Sequence, residues 1–272
     1  MATISNVRAA VDQQLQAVHE PGWRRGFVNL LSNENRMWWG TRKWIVHLLL
    51  WLVLLNGLIL LIGLTDGPDL NDPLKLYETL VQVLFQVGML ATAIGVVTTA
   101  QGAIVREKQL GTAAWVLSKP VSRGAFVLAK FVAYTLAFVS LAVLLPSVIF
   151  YAESQVLAGH VPPLAGFLSA VGIVVVHTLF YLALALLLGT VFSTRGPISG
   201  VAMGVLFAGF LPPNLLPQAV QLVLPWTLKN SAVGLALGSP LPAEWIVPVI
   251  ATVLLTALFL GVALWRFGRE EF

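Results

Sequence analysis

The sequence predicts an all-α integral membrane protein with six transmembrane helices, an N-terminal interfacial helix and both termini in the cytoplasm. Two observations establish the class. Of 272 residues, 58% are hydrophobic and 10% are charged, whereas about a quarter of the residues in a soluble domain are charged. The apolar residues also fall in blocks of about twenty, the length that a helix needs to cross the hydrocarbon of a bilayer. The bilayer is therefore the solvent for most of the chain.

The apolar blocks separate a polar N-terminal segment, 1–43, from a membrane domain, 44–272. The N-terminal segment lacks the short charged head and apolar run of a cleavable signal, so we expect the first block to remain as an anchor. The fifth predicted crossing is the shortest. The six crossings are predicted at 44–64, 79–104, 126–151, 167–192, 197–212 and 245–265.

The distribution of basic residues predicts the orientation, because short loops rich in Lys and Arg remain in the cytoplasm. With the N-terminus inside, only Lys75 and Lys229 fall outside. We therefore expect the net charge of +4 to meet anionic lipid of the inner leaflet, not nucleic acid. The fourteen basic residues of the inner segments are Arg8, Arg24, Arg25, Arg36, Arg42, Lys43, Arg106, Lys108, Lys119, Arg123, Lys130, Arg195, Arg266 and Arg269.

Two segments depart from a plain series of crossings. Residues 21–43 carry apolar side chains at helical spacing with arginines between them, which predicts a helix in the inner interface with its tryptophans at headgroup depth. Residues 211–244 are apolar but rich in proline, which prevents one continuous helix. We expect short re-entrant helices there, buried against protein. The residues at helical spacing in segment 21–43 are Trp23, Phe27, Leu30, Leu31, Met37 and Trp38.

Small and polar residues mark two crossings. Gly196, Gly200 and Gly204 recur every four residues on the fifth crossing, a pattern that lets another helix approach closely. We expect helix packing within one subunit, with a dimer contact or a substrate path as the alternatives. Gln82 and Gln86 give the second crossing polar positions that suit either helix packing or a translocation path.

Ionisable residues are nearly absent from the predicted membrane interior, which argues against a proton- or ion-coupled carrier. His177 is the exception, and we interpret it as a hydrogen-bonded packing residue instead of a proton relay. Ser199 could pair with His177 as a protease nucleophile, but its surroundings lack the Gly-x-Ser-x-Gly elbow.

Other enzymatic sites are equally weak. The chain has no cysteine, which excludes thiolate metal sites and cysteine nucleophiles. Asp66, Asp69 and Asp72 could hold Mg²⁺ at a diphosphate, as in membrane prenyltransferases, but no second acidic cluster accompanies them and a solvated loop is the better interpretation. No phosphate-binding loop of the form Gly-x-x-x-x-Gly-Lys-Ser/Thr is present, so we expect the chain not to hydrolyse ATP itself.

The loop at 105–123 mixes charges with a Gly-Thr turn, a short apolar stretch at 113–117 and a proline. Thr112 can cap a helix and Pro120 can end one, so the pattern predicts a compact helical elbow on the cytoplasmic face.

This loop resembles that of the permease subunits of ABC-2-type transporters, in which Glu-x-x-x-Gly-Thr, a short apolar helix and Ser-x-Pro-Val-Ser-Arg join the second and third crossings, followed by a Lys. The resemblance extends more weakly to the N-terminal helix with Glu34, to the six crossings and to the re-entrant segment. The matching positions are Glu107, Gly111, Thr112, Ser118, Pro120, Val121, Ser122, Arg123 and Lys130.

The resemblance implies an exporter of two such permease subunits, expected as a homodimer in the inner membrane, and two copies of a separate ATPase subunit. ATP and Mg²⁺ would be bound by the ATPase and no cofactor by this chain. The loop would act as a coupling helix, while inner-leaflet anchoring alone is the other interpretation of Arg123 and Lys130. The resemblance assigns ATPase coupling to Glu107, Gly111, Thr112, Pro120 and Arg123, with Arg24 and Arg25 as further contacts.

Two other functions remain open at the level of sequence. One is a membrane-embedded enzyme acting on a lipid or isoprenoid substrate, for which Asp66 and Asp69 would be needed. The other is a non-transporting membrane module that uses the same coupling to regulate another process. For a transporter, the apolar interior with Gln and Thr residues suits an amphiphilic or hydrophobic cargo, with peptides, glycans, drugs and ions as the alternatives.

Overall fold

A computed structural model describes residues 26–65, 72–118, 121–210 and 217–270. All regular structure within these ranges is helical. A single 3-10 turn, Pro225–Thr227, separates two of the short helices. We number the helices α1 Phe27–Trp39, α2 Lys43–Leu64, α3 Pro73–Gln109, α4 Thr112–Leu117, α5 Arg123–Ala158, α6 Leu164–Val191, α7 Arg195–Ala208, α8 Gln218–Val223, α9 Leu228–Leu237 and α10 Ile246–Gly268.

Five helices, α2, α3, α5, α6 and α10, are long and apolar enough to cross a membrane. The chain is therefore a multi-pass α-helical membrane protein. Helix α7, at the fifth predicted crossing, has 14 residues and extends about 21 Å, less than the hydrocarbon thickness of about 30 Å. The end of that predicted crossing, 211–212, lies outside the described residues.

Helix α6 lies at the centre of the bundle and packs against α3, α7, α9 and α10. Its buried face carries Phe180 and Tyr181 in one hydrophobic cluster and Phe167 in a second. The first cluster also holds Trp38 and Phe267. The two clusters lie at successive levels of the bundle. Because α6 contributes side chains to both clusters, it connects the two halves of the bundle.

One end of the bundle gathers the loop at 105–123 and the ends of α6 and α10, and we call it the loop end. Gln109 Nε2 donates to the Ser193 carbonyl at 2.8 Å, just beyond α6, and Arg266 Nε donates to the Thr190 carbonyl at 3.2 Å. At the opposite end, the Tyr77 hydroxyl donates to the Ala236 carbonyl at 3.3 Å. Between the start of α7 and α9 the chain therefore passes from the loop end to the opposite end.

Helix α1 lies within the segment 21–43 that was predicted to form an interfacial helix. Its Trp38, expected at headgroup depth, instead packs on the bundle. Trp38 is 1% exposed. Its ring meets those of Tyr134 and Phe138 edge-on, with centroids 5.3 Å and 5.9 Å away. Protein therefore takes the place of lipid headgroups around Trp38, because two aromatic side chains of α5 offer it a closer fit.

The predicted re-entrant segment, 211–244, contains the short helices α8 and α9. Pro225 and Leu228 are buried, and α9 packs along α6. The first residues of the segment, 211–216, lie outside the described residues.

Candidate functional site

The elbow predicted between the second and third crossings is present as the end of α3, a turn and helix α4. Gly111 makes the turn with a φ of +68°, a conformation that favours glycine. Thr112 begins α4 and does not cap it as predicted; its hydroxyl donates to the Glu107 carbonyl at 3.2 Å. The positive φ of Gly111 puts that carbonyl within reach, so the hydroxyl closes the turn. Leu110 and Trp115 are each 65% exposed on this elbow.

A buried ion-pair cluster lies directly behind the elbow. Lys130 Nζ lies 2.6 Å from Glu34 Oε1 and also binds Glu107 Oε1. Lys130 is 2% exposed, and it comes from α5, whereas Glu34 comes from α1 and Glu107 from α3. Three helices are thus held at one point by one ammonium group and two carboxylates. The ammonium of Lys130 therefore meets protein carboxylates inside the fold.

A second set of contacts ties the loop to the C-terminal end of α10. Lys108 Nζ lies 2.6 Å from Glu270 Oε1. Arg123 Nη1 donates to the carbonyls of Gly268 at 3.0 Å and Glu270 at 2.7 Å. Arg123 therefore begins α5 and also binds the end of α10. A displacement of the loop would move both helices.

A cavity of about 520 Å³, lined by both polar and apolar side chains, opens between the elbow, α1, α5 and the start of α7. The basic side chains that line it among the described residues outnumber the acidic ones, which are the two carboxylates bound to Lys130. An excess of positive charge therefore faces the cavity. The charged lining residues are Glu34, Lys43, Arg106, Glu107, Lys130 and Arg195.

Glu107, Gly111 and Thr112 lie on the elbow, and Arg123 begins α5 after it. Arg24, Arg25 and Pro120 lie outside the described residues.

The glycines of α7 do not pack as expected. A Cβ added to Gly196, Gly200 or Gly204 would meet nothing within 4 Å, so this face has no neighbour among the described residues. Packing within the subunit is instead seen on α3, where a Cβ on Gly95 would lie 2.5 Å from Trp51 Cη2.

The two glutamines of the second crossing differ in their surroundings. Gln82 is exposed, whereas Gln86 lines a separate cavity together with His177. Ser199 donates to Gln101 Oε1 and does not pair with His177, because the amide of Gln101 faces it across the contact between α3 and α7.

The acidic triplet of the sequence shows one structural role. Asp72 accepts a hydrogen bond from the backbone N–H of Leu74 at 3.0 Å and so caps α3, with Pro73 at its first position. Asp66 and Asp69 lie outside the described residues. Within the described ranges, no three His, Asp or Glu side chains are grouped as a metal site would require.

Sequence reasoning missed the pairing of Lys130 with Glu34. The available signal was a lone lysine inside a predicted crossing, which requires a buried acidic partner. Glu34 was noted only as part of the N-terminal helix.

Comparison with known proteins gives a family but no activity. The model of one protein family matches residues 66–272, and its description is a protein of unknown function, DUF2705. No curated protein matches the sequence. Because the match covers more than half of the chain, the protein belongs to the DUF2705 family of proteins of unknown function.

Proposed function

We propose that this chain is the membrane-spanning permease subunit of an ATP-driven exporter, in which a separate ATPase subunit supplies the energy. The observation that carries the proposal is the elbow. It presents Leu110 and Trp115 to the outside of the fold, while Glu107 and Lys108 connect it to α1, α5 and the end of α10.

The elbow is suited to transmit a displacement. A partner that grips the exposed apolar side chains would move α4, and Gly111 would carry that movement to the end of α3. Lys130 binds Glu107, which lies on α3 just before this turn, and an ion pair with a buried member resists separation because the buried charge would be left without a partner. The helices are therefore expected to move with the elbow instead of letting it swing freely.

The proposal includes six crossings, both termini in the cytoplasm and location in the inner membrane. The start of α7 lies at the loop end and α9 lies at the opposite end, and this change of end supports a sixth passage. The basic residues at the loop end, Arg106, Lys108 and Arg123 among them, support its cytoplasmic location.

Two copies of the ATPase, which would hold ATP and Mg²⁺, and a second copy of this chain complete the proposed assembly. The unpacked glycine face of α7 supports a contact with that second copy, since small residues let two helices approach closely in a membrane. The mostly apolar interior supports an amphiphilic or hydrophobic cargo.

Co-purification from native membranes tests the proposal. The tagged chain is expected to bring an ATP-binding subunit with it, and Leu110→Glu is expected to detach that subunit because it places a charge in an apolar contact. Leu164→Glu is the matched control, since Leu164 is 60% exposed at the opposite end and Leu110 is 65% exposed. Glu107→Ala and Gly111→Trp should reduce ATP-dependent transport even where the ATPase stays bound.

The proposal would be rejected if the chain were recovered without an ATPase and if Leu110→Glu and Leu164→Glu gave the same result. The membrane-embedded enzyme would then be the better hypothesis, and activity without nucleotide would support it.

A further inference from the structure

A second cavity, of about 190 Å³, lies away from the elbow among α3, α6, α7 and the segment that precedes α9. Its lining is mainly apolar, with Leu206 and Trp226 among the wall residues. Gln86, His177, Tyr181 and Lys229 contribute the polar groups. Nothing in the coupling of the elbow uses these residues.

Two of the polar atoms have no hydrogen-bond partner among the described residues. His177 is 5% exposed and Tyr181 is fully buried, yet His177 Nδ1 and the Tyr181 hydroxyl make no hydrogen bond to any described residue. A polar group left unpaired in a buried site destabilises the fold, because it has lost the hydrogen bonds that water would supply. Both atoms lie enclosed in the cavity wall, with ring centroids 5.0 Å apart, so a ligand in the cavity would satisfy them only after these side chains turn toward it.

The chemistry of the lining selects the ligand. The Gln86 amide can donate hydrogen bonds and Lys229 adds a positive charge, and both side chains are partly exposed. The Tyr181 hydroxyl and the His177 ring are further donors once they turn toward the cavity. Lys229 Nζ lies 5.0 Å from the centroid of the Phe210 ring, and no carboxylate lines the cavity within the described part of the chain. Donors with a cation and apolar walls suit an anionic oxygen headgroup on an apolar chain.

We propose that this cavity binds the headgroup and first carbons of a single-chain amphiphile with an acidic headgroup, of the class of a fatty acid. An apolar cavity of about 150 Å³ holds benzene, so 190 Å³ holds a carboxylate and several methylenes, and the rest of the chain lies outside it. The inference does not depend on the proposed ATPase partner, because the cavity is formed by this chain alone.

Trp226 gives a direct measurement. It lines the cavity, and its Nε1 donates to the Val205 carbonyl at 2.8 Å, which fixes its ring in place. The full chain in nanodiscs of phosphatidylcholine would be titrated with 8-bromooctanoate, whose bromine quenches tryptophan fluorescence. The chain has nine tryptophans. The site signal is the quenching measured on the intact chain minus the quenching measured on Trp226→Phe, because this subtraction removes the contribution of the other eight.

Three results are expected. The site signal should saturate, and octanoate should compete for it while octane should not. Lys229→Gln should weaken bromooctanoate binding by about tenfold, the size of a lost charge-assisted contact. Lys75→Gln, which removes an exposed lysine elsewhere on the chain, should leave binding unchanged.

Two variants distinguish the hydrogen bond from the charge contact at the headgroup. Tyr181→Phe should weaken the binding of both 1-octanol and octanoate, whereas Lys229→Gln should weaken the binding of octanoate alone. Quenching that rises linearly without saturation, or equal binding by Lys229→Gln and Lys75→Gln, would overturn the proposal. Lys229 is partly exposed, so its variant keeps the test decisive even where Tyr181→Phe fails to fold.

Discussion

Lys130 Nζ and Glu34 Oε1 lie 2.6 Å apart although the two residues are 96 positions apart in the chain. The pair fixes α1 against α5 at the level where Glu107 of α3 reaches the same ammonium group. Because the site is buried, each partner depends on the others for the hydrogen bonds that water would otherwise supply. The elbow is therefore supported by a charge cluster that cannot lose one member without consequence.

Lys130→Met is expected to lower the free energy of unfolding by roughly 3 kcal/mol, because it leaves two partly or fully buried carboxylates without a counter-charge. An unfolding titration in mixed micelles would measure the change. Lys108→Met is the control, because its pair with Glu270 is more exposed and such pairs contribute up to about 1 kcal/mol. Adding Glu34→Leu to Lys130→Met should cost less than the two single losses together; strict additivity would contradict a shared cluster.

Gly111→Ala is expected to impair coupling beyond its effect on stability. Both Gly111, with φ +68°, and Gly159, with φ +67°, have open space at the position of a Cβ, so an alanine at either position should cost about 1–2 kcal/mol of backbone strain. Nucleotide-dependent transport should fall for Gly111→Ala only, since Gly159 ends α5 at the opposite end of the bundle. Equal transport by the two variants would remove Gly111 from the coupling elbow.

Gly95→Ala is expected to destabilise the fold by about 1–3 kcal/mol, the usual cost of overpacking. The new Cβ would lie 2.5 Å from Trp51 Cη2 and 2.6 Å from its Cζ2. Trp51→Leu removes both atoms, so the double variant should lose less stability than Gly95→Ala and Trp51→Leu together. Thermal unfolding in nanodiscs would measure this, and no rescue would mean that α2 and α3 adjust without contact between these residues.

Gly204→Leu tests the open face of α7. The change should leave the unfolding midpoint of the isolated chain within the small range typical of surface substitutions, because no described residue lies within 4 Å of the new Cβ. It should nevertheless reduce self-association, measured by crosslinking in native membranes, since a leucine would hold a second α7 apart. A stable chain that dimerises as before would place the subunit contact elsewhere.

Several features followed from sequence alone. Long apolar blocks predicted five of the long helices, and the Gly111-Thr112 turn predicted the elbow. The same patterns did not show that Trp38 packs on Tyr134 instead of facing headgroups, or that the α7 glycines face outward. Hydropathy reports how much each side chain avoids water, and lipid and protein satisfy that preference equally well.

The sequence by itself determined membrane insertion, the positions of the long helices and the local turn of the elbow, because each depends on the properties of neighbouring residues along one segment. Only the tertiary structure decided that Glu34, Glu107 and Lys130 share one buried site and that His177 and Tyr181 face a common cavity. The first relationship joins three helices that are distant in the chain, and the second depends on which helices pack around α6, the helix that carries both side chains. They arise because burial forces each charge to find a partner, and packing alone sets which partners come within reach.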